Sequence, residues 1–160
     1  MNKNIILLST VVLILLILLP GAAFAAVDLS RPSGLSAGDF EALMPEAFQG
    51  YGGIFYDSEQ NYGINGIFLL AVIRLESGNG ESWLSQNSNN VAGNKGEDGY
   101  LSFDVLSEGI VYAASNLGEN YLREDGKFYS GGTLEDIARV YCPGGNWASQ
   151  VKNLMAEYGY

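Results

Sequence analysis

The sequence contains no histidine and a single cysteine, Cys142. Without histidine, Ser-His and Cys-His nucleophilic catalysis and His-ligated metal are excluded. One cysteine leaves no intramolecular disulfide, and its ordinary role is that of a small buried hydrophobe. Basic residues are scarce as well: eight Lys and Arg stand against eighteen Asp and Glu, a formal net charge of −10. Nucleic acid rewards clustered Lys and Arg, so it is not an expected partner. Repeats, low-complexity tracts and a second binding module are also missing from the pattern.

What the chain does have begins with an apolar run. Lys3 sits in a short polar start, Ile5 to Leu19 is apolar except for Ser9 and Thr10, and Pro20-Gly21 precedes Ala23-Phe24-Ala25. That order of charged start, apolar run and small-x-small site is the pattern of a secretory signal peptide, expected over residues 1–25. The other reading is an uncleaved anchor, although the run is shorter than the ~20 residues of a comfortable spanning helix. The expected location is therefore outside the cell or at the cell wall, with membrane anchoring if the segment is retained. An exported chain without disulfides points to a bacterial surface. Residues 26–38, with Pro32, Gly34 and Gly38, read as a linker, and 39–160 as one domain with a single core.

From Asp39 onward the pattern is helical. Asp39 is placed to cap a helix to about Gln49, interrupted at Pro45. Asn65 is placed to cap a helix from Gly66 to about Ser77, in which Ile67 through Ile73 is apolar on every face, the mark of a buried helix. Gln86 to Gly99 is rich in Asn and Gly, and Glu97-Asp98-Gly99 is good turn chemistry for a short hairpin. Asp104 starts a third helix to about Leu122. Thr133 to Asp136 resembles a capping box for a fourth. Asn146 caps the last, with Trp147, Val151, Leu154 and Tyr158 as its apolar stripe.

Glu76 is the residue out of place. It closes the most apolar helix in the chain, where desolvation disfavours a carboxylate. The helix C-terminus also carries partial negative charge, which disfavours an anion there. A carboxylic acid kept protonated near neutral pH is what a glycosidase needs to protonate a leaving oxygen. The plain reading is an ion pair with Arg74 or a nearby Lys, and on the residues alone both readings stand.

The order of motifs adds to this. Leu75-Glu76-Ser77-Gly78-Asn79-Gly80-Glu81-Ser82 resembles the E-S-G-x-G-x-S signature of the bacterial glucosaminidase family, which hydrolyses peptidoglycan on a lysozyme-like fold. Asn89-Asn90-Val91-Ala92-Gly93-Asn94-Lys95 resembles its N-N-L-F-G-x-K segment, with Phe103 and the helix after it next in order. Tyr141-Cys142-Pro143 and Trp147 to Val151 resemble its closing tyrosine and final helix. The resemblance implies a mainly α, lysozyme-like domain whose β-hairpin lobe is much shortened, with Glu76 as catalytic acid. It places Tyr141 across the cleft, holding substrate or a water, and Asn90 and Gly93 in the cleft wall. Tyr141 reads equally as an ordinary core aromatic; Trp147 reads as a core anchor.

Two departures stand out. Ala92 occupies a position where the family commonly has Phe. The stretch from Lys95 to Phe103 is too short for the longer lobe that carries a second carboxylate in many relatives, leaving Glu97, Asp98 and Asp104. Glu97 is the candidate second catalytic carboxylate, though Glu97 and Asp98 are most simply turn residues and Asp104 a helix cap. The expected activity is cleavage of peptidoglycan glycan strands as an endo-β-N-acetylglucosaminidase. The alternatives are a muramidase or lytic transglycosylase on the same fold, or a glycan-binding or assembly protein without turnover. No metal or cofactor is called for. A monomer is expected, and a small catalytic domain of this kind suits local cutting directed by a protein partner in the cell envelope.

Overall fold

A computed structural model of the chain describes residues 27–160. The signal-peptide pattern of residues 1–25 lies outside them. Among the described residues no helix is long and apolar enough to cross a membrane.

The elements run in the order α1 (Ala37–Leu43), a 3-10 turn (Glu46–Phe48), α2 (Gly52–Tyr62), α3 (Gly66–Ser77) and α4 (Trp83–Ser88). Next come a two-stranded hairpin of β1 (Lys95–Gly96) and β2 (Gly99–Tyr100), then α5 (Leu106–Ser115), a π-helical turn (Asn116–Leu122), α6 (Leu134–Tyr141) and α7 (Trp147–Ala156). Helix α3 is the hub, packed against α2, α5 and α7. Gly66 through Ile73 are all buried on it, as a helix apolar on every face requires. Asn65 caps it, its side-chain oxygen accepting from the amides of Ile67 and Phe68 at 3.0 and 3.1 Å.

The fold is mainly helical, and its only sheet among the described residues is the short antiparallel hairpin, with Lys95 opposite Tyr100 and Gly96 opposite Gly99. Glu97-Asp98 forms its turn, as the sequence predicts, and the lobe is correspondingly small.

Several details differ from the sequence expectation. The first helix is capped by Ser36, and Asp39 returns the bond to the Ser36 amide at 2.9 Å, completing a capping box from inside the helix. The first of the predicted linker residues that are described are packed: Leu29 is buried, and its carbonyl accepts from the Asn65 amide at 2.8 Å. Asp104 caps nothing; α5 begins at Leu106, and the Asp104 amide donates to Glu108 Oε2 at 3.1 Å. The Thr133–Asp136 capping box forms as expected. Asn146 stands at the N-cap of α7 without a side-chain cap bond, and Met155 shares the buried stripe with Trp147 and Val151. Cys142, expected inside, is exposed because it sits one residue beyond the end of α6. Helices α2 and α4 were not expected from the sequence. Within α2, Glu59 is fully buried and accepts from the amides of Gly66 and Ser33 at 2.8 and 2.9 Å.

Candidate active site

The Glu76 site is built by the way α3 stops. Gly78 adopts a left-handed conformation (φ 58°), favoured for glycine, and its amide closes onto the Arg74 and Leu75 carbonyls. The Ser77 hydroxyl donates to the Ile73 carbonyl at 2.6 Å and accepts from the Gly80 amide at 2.8 Å. The Ser82 amide then reaches the Ser77 carbonyl at 2.8 Å, and the Ser82 side chain caps α4. The two serines of the E-S-G-x-G-x-S segment thus end one helix and start the next. Glu76 is held half-buried on the last turn of α3 within that rigid frame.

Arg74 does not pair with Glu76. Its guanidinium donates to Asn79 Oδ1 at 2.9 Å, to Glu157 Oε2 at 2.9 Å and to the Tyr158 hydroxyl at 2.6 Å, and it lies over the Tyr158 ring. Glu76 has no ion-pair partner among the described residues. Its carboxylate accepts instead from the indole N–H of Trp147 at 2.8 Å. Burial raises its pKa above the ordinary glutamate value, and the Trp147 bond opposes that rise in part. No second carboxylate contributes to the shift.

Tyr141 comes to the same place. Its ring lies 4.9 Å from that of Trp147 and 5.5 Å from that of Tyr121, and its hydroxyl donates to the Ala92 carbonyl at 3.3 Å. Burial pushes the phenol up, and the negative Glu76 adds to it, so it stays a neutral hydroxyl. Trp147 is a core residue, packed edge-on to Phe68, and also the hydrogen-bond donor to Glu76. The sequence reading found its packing and missed its polar role; a Trp at the first turn of the final helix gives no hint of which carboxylate its N–H meets.

Asn90 and Gly93 lie in the wall that Ala92 presents to Tyr141. Asn90 is buried, its amide nitrogen donating to the carbonyls of Asn94 and Leu101 at 2.8 and 2.9 Å and its oxygen accepting from the Asn94 amide at 2.9 Å. Those bonds make it the pin between the wall and the hairpin. Gly93 has a left-handed φ of 61° that turns the wall toward β1. The structure therefore brings together Glu76, Trp147, Tyr141 and the Ala92 carbonyl, while Glu97 stands exposed in the hairpin turn. Among the described residues no three Cys, Asp or Glu side chains cluster so as to hold a metal ion.

The same arrangement has relatives. A protein of Streptococcus pneumoniae provisionally named endo-beta-N-acetylglucosaminidase is 27% identical over 145 residues, which is 84% of this chain and 22% of that one. The chain spans about a fifth of the length of the curated relatives it matches. Among solved structures, Autolysin E of S. aureus superimposes with a TM-score of 0.66 at 16% identity, over 82% of this chain and 71% of that one. A catalytic mutant of Autolysin E in complex with the disaccharide NAG-NAM gives the same TM-score and identity, over 81% and 69% of the two chains. These likenesses show that the chain shares the fold of Autolysin E. The profile of the glucosaminidase family, described as mannosyl-glycoprotein endo-beta-N-acetylglucosaminidase, matches residues 52–160, from the start of α2 through Glu76, Tyr141 and α7 to Tyr160. The chain belongs to the glucosaminidase family.

Proposed function

We propose that this protein cuts the glycan strands of peptidoglycan as an endo-β-N-acetylglucosaminidase, with Glu76 as its general acid. The observation that carries the reading is a half-buried carboxylate without an ion-pair partner among the described residues, raised in pKa by burial and oriented by Trp147. A carboxyl group in that state keeps its proton to higher pH than a free glutamate and can pass it to a glycosidic oxygen as the C1–O bond breaks. The family membership and the NAG-NAM complex of Autolysin E support the substrate class.

The second half of the reaction uses the residue opposite. As the oxocarbenium ion forms at C1, the ionised Glu76 takes a proton from the water that attacks it. The neutral Tyr141 hydroxyl and the Ala92 carbonyl hold that water in place.

Export fits this role: peptidoglycan lies outside the membrane, and residues 1–25 carry the signal-peptide pattern. The test is digestion of purified cell walls by wild type and Glu76→Gln. The variant should lose cleavage by about 10²- to 10⁴-fold, the range of general-acid catalysis, while still sedimenting with the walls. Retained turnover in Glu76→Gln would overturn the assignment. Wall binding with no turnover in either protein would mean a binding protein.

A further inference from the structure

The four arginines of the chain are all ion-paired: Arg31 with Asp28, Arg74 with Glu157, Arg123 with Asp125 and Arg139 with Asp136. None of the three described lysines is. Lys152 borders an apolar groove of about 830 Å³ between residues 27–29, the first turn of α6 and the end of α7, which does not include Glu76. Lys127 rests on the Phe128 ring, which packs against Tyr121, and Tyr121 in turn against Tyr141. Lys95 is placed differently, because it leaves the wall that the Tyr141 hydroxyl touches.

Its position is fixed by a short chain of bonds. The Tyr141 hydroxyl meets the Ala92 carbonyl, and two residues later the Asn94 carbonyl accepts from Leu101 at 3.0 Å and from the Asn90 side chain at 2.8 Å. Lys95 follows at once as the first residue of β1. Across the hairpin it pairs with Tyr100, so both side chains share one face, and the Lys95 ammonium lies 4.8 Å from the centre of the Tyr100 ring. Tyr100 is 56% exposed, a large apolar surface for a hairpin of this size. In a chain of net charge −10, an anionic polymer is repelled overall, but screening confines that repulsion to about 8 Å at physiological ionic strength. A free cation at the rim of the site then governs local contact.

We infer that Lys95 and Tyr100 form a substrate-reading face of the site, the Tyr100 ring stacking on a sugar and the Lys95 ammonium binding a carboxylate carried by that strand. An aromatic face is negative and its C–H-bearing partner positive, which suits the C–H face of a pyranose. The ammonium beside it is a compact donor for a carboxylate. In peptidoglycan that carboxylate is either the lactyl group of muramic acid or the stem peptide built on it. The inference rests on the proposed glycosidase activity and adds its selectivity for anionic strands.

The experiment compares three strand preparations of equal glycan length: peptide-bearing, amidase-stripped with the lactyl carboxylate kept, and stripped strands whose carboxylates have been converted to amides. Wild type, Lys95→Gln, Tyr100→Ala and Lys152→Gln are assayed on each. Lys95→Gln should raise KM about two- to fivefold on strands that carry the recognised carboxylate, the size of an exposed charge pair, and leave the amidated strands unchanged. Its KM should also lose most of its dependence on salt. Loss of selectivity on stripped strands identifies the lactyl carboxylate, and loss on peptide-bearing strands alone identifies the stem peptide. Tyr100→Ala should raise KM on all three preparations, and Lys152→Gln, an equal change in charge, on none. Equal behaviour of Lys95→Gln and Lys152→Gln would overturn the inference while leaving the glycosidase intact. Failure of the wild type to cut any preparation would instead bring down the glycosidase reading, and this inference with it.

Discussion

The indole N–H of Trp147 donates to Glu76 Oε1 across 2.8 Å, joining residues 71 apart in sequence at the start of α7 and the end of α3. The bond fixes the carboxyl group in one orientation and favours its ionised form, against the burial that favours the protonated one. Replacing Trp147 by Phe keeps most of the packing against Phe68 and Tyr141 and removes the donor. The Glu76 pKa should then rise further, and the alkaline limb of the kcat/KM profile, where the acid loses its proton, should move to higher pH. An unchanged limb in Trp147→Phe would mean that the bond does not tune the acid.

The two tryptophans make the titration visible. Trp83 is 70% exposed and Trp147 is 3% exposed. In a Trp83→Phe protein the remaining emission comes from an indole bonded to Glu76. It should titrate with an inflection above 4.5, the ordinary value for the group, and the inflection should vanish when Glu76→Gln is added. A flat profile would contradict the pairing.

Stability should carry the same signature with a defined sign. Because the folded pKa of Glu76 is raised, the folded state holds its proton more tightly than the unfolded chain does. The carboxyl's contribution to stability is therefore best at low pH and is lost as pH rises from the unfolded value through the folded one. Glu76→Gln, which cannot ionise, should be more stable than wild type near neutral pH, with the gap closing toward pH 4. Thermal melts across that range measure it, and a gap that widens in acid would reverse the argument.

Two glutamates stand at opposite ends of α3, and only one position suits an anion. Glu59 accepts from the Gly66 amide at the helix N-terminus, where negative charge is favoured; Glu76 sits at the C-terminus, where it is not. A Cβ on Gly66 would lie 2.6 Å from Glu59 Oε2 and overlap the Phe40 ring. Gly66→Ala should therefore destabilise by about 1–3 kcal/mol, the usual scale of overpacking, despite its better helix propensity. A chemical-denaturation midpoint equal to wild type would show that the α1–α3 contact yields easily.

Asn90 gives a different kind of prediction. It was expected in the cleft wall as a substrate contact, but its side chain is spent on the Asn94 and Leu101 backbone. Asn90→Ala leaves those buried groups short of partners, about 1–3 kcal/mol, and frees the hairpin base. Amide exchange at Leu101 should accelerate, and KM should rise through loss of the Lys95–Tyr100 face. Unaltered exchange with a large loss of kcat would point instead to direct contact with substrate.

Much of this was legible in the sequence because local rules and burial agreed. The all-apolar run from Ile67 to Ile73 marked α3 as a buried helix ending near Ser77, Asn65 marked its cap, and Glu97-Asp98 marked the hairpin turn. Helix α2 escaped because Gly52-Gly53 opens it and its polar residues include the buried Glu59; its core anchor is Phe55, and no apolar stripe announces it. Helix α4 escaped because Gln86, Asn87 and Ser88 read as loop, while the Ser82 cap and the Asn89 left-handed stop define it. At the site, the strain at Glu76 was visible from its place in the helix. The partner that resolves it, Trp147, was hidden because a bond between α3 and α7 has no local trace.

The account stands or falls on which bond is cut and by which group. The direct measurement is mass spectrometry of fragments released from purified peptidoglycan by the wild-type protein, reduced with borohydride, alongside Glu76→Gln. The account predicts reduced N-acetylglucosamine ends from wild type and none from the variant. Reduced muramic acid ends, or fragments released equally by Glu76→Gln, would contradict it.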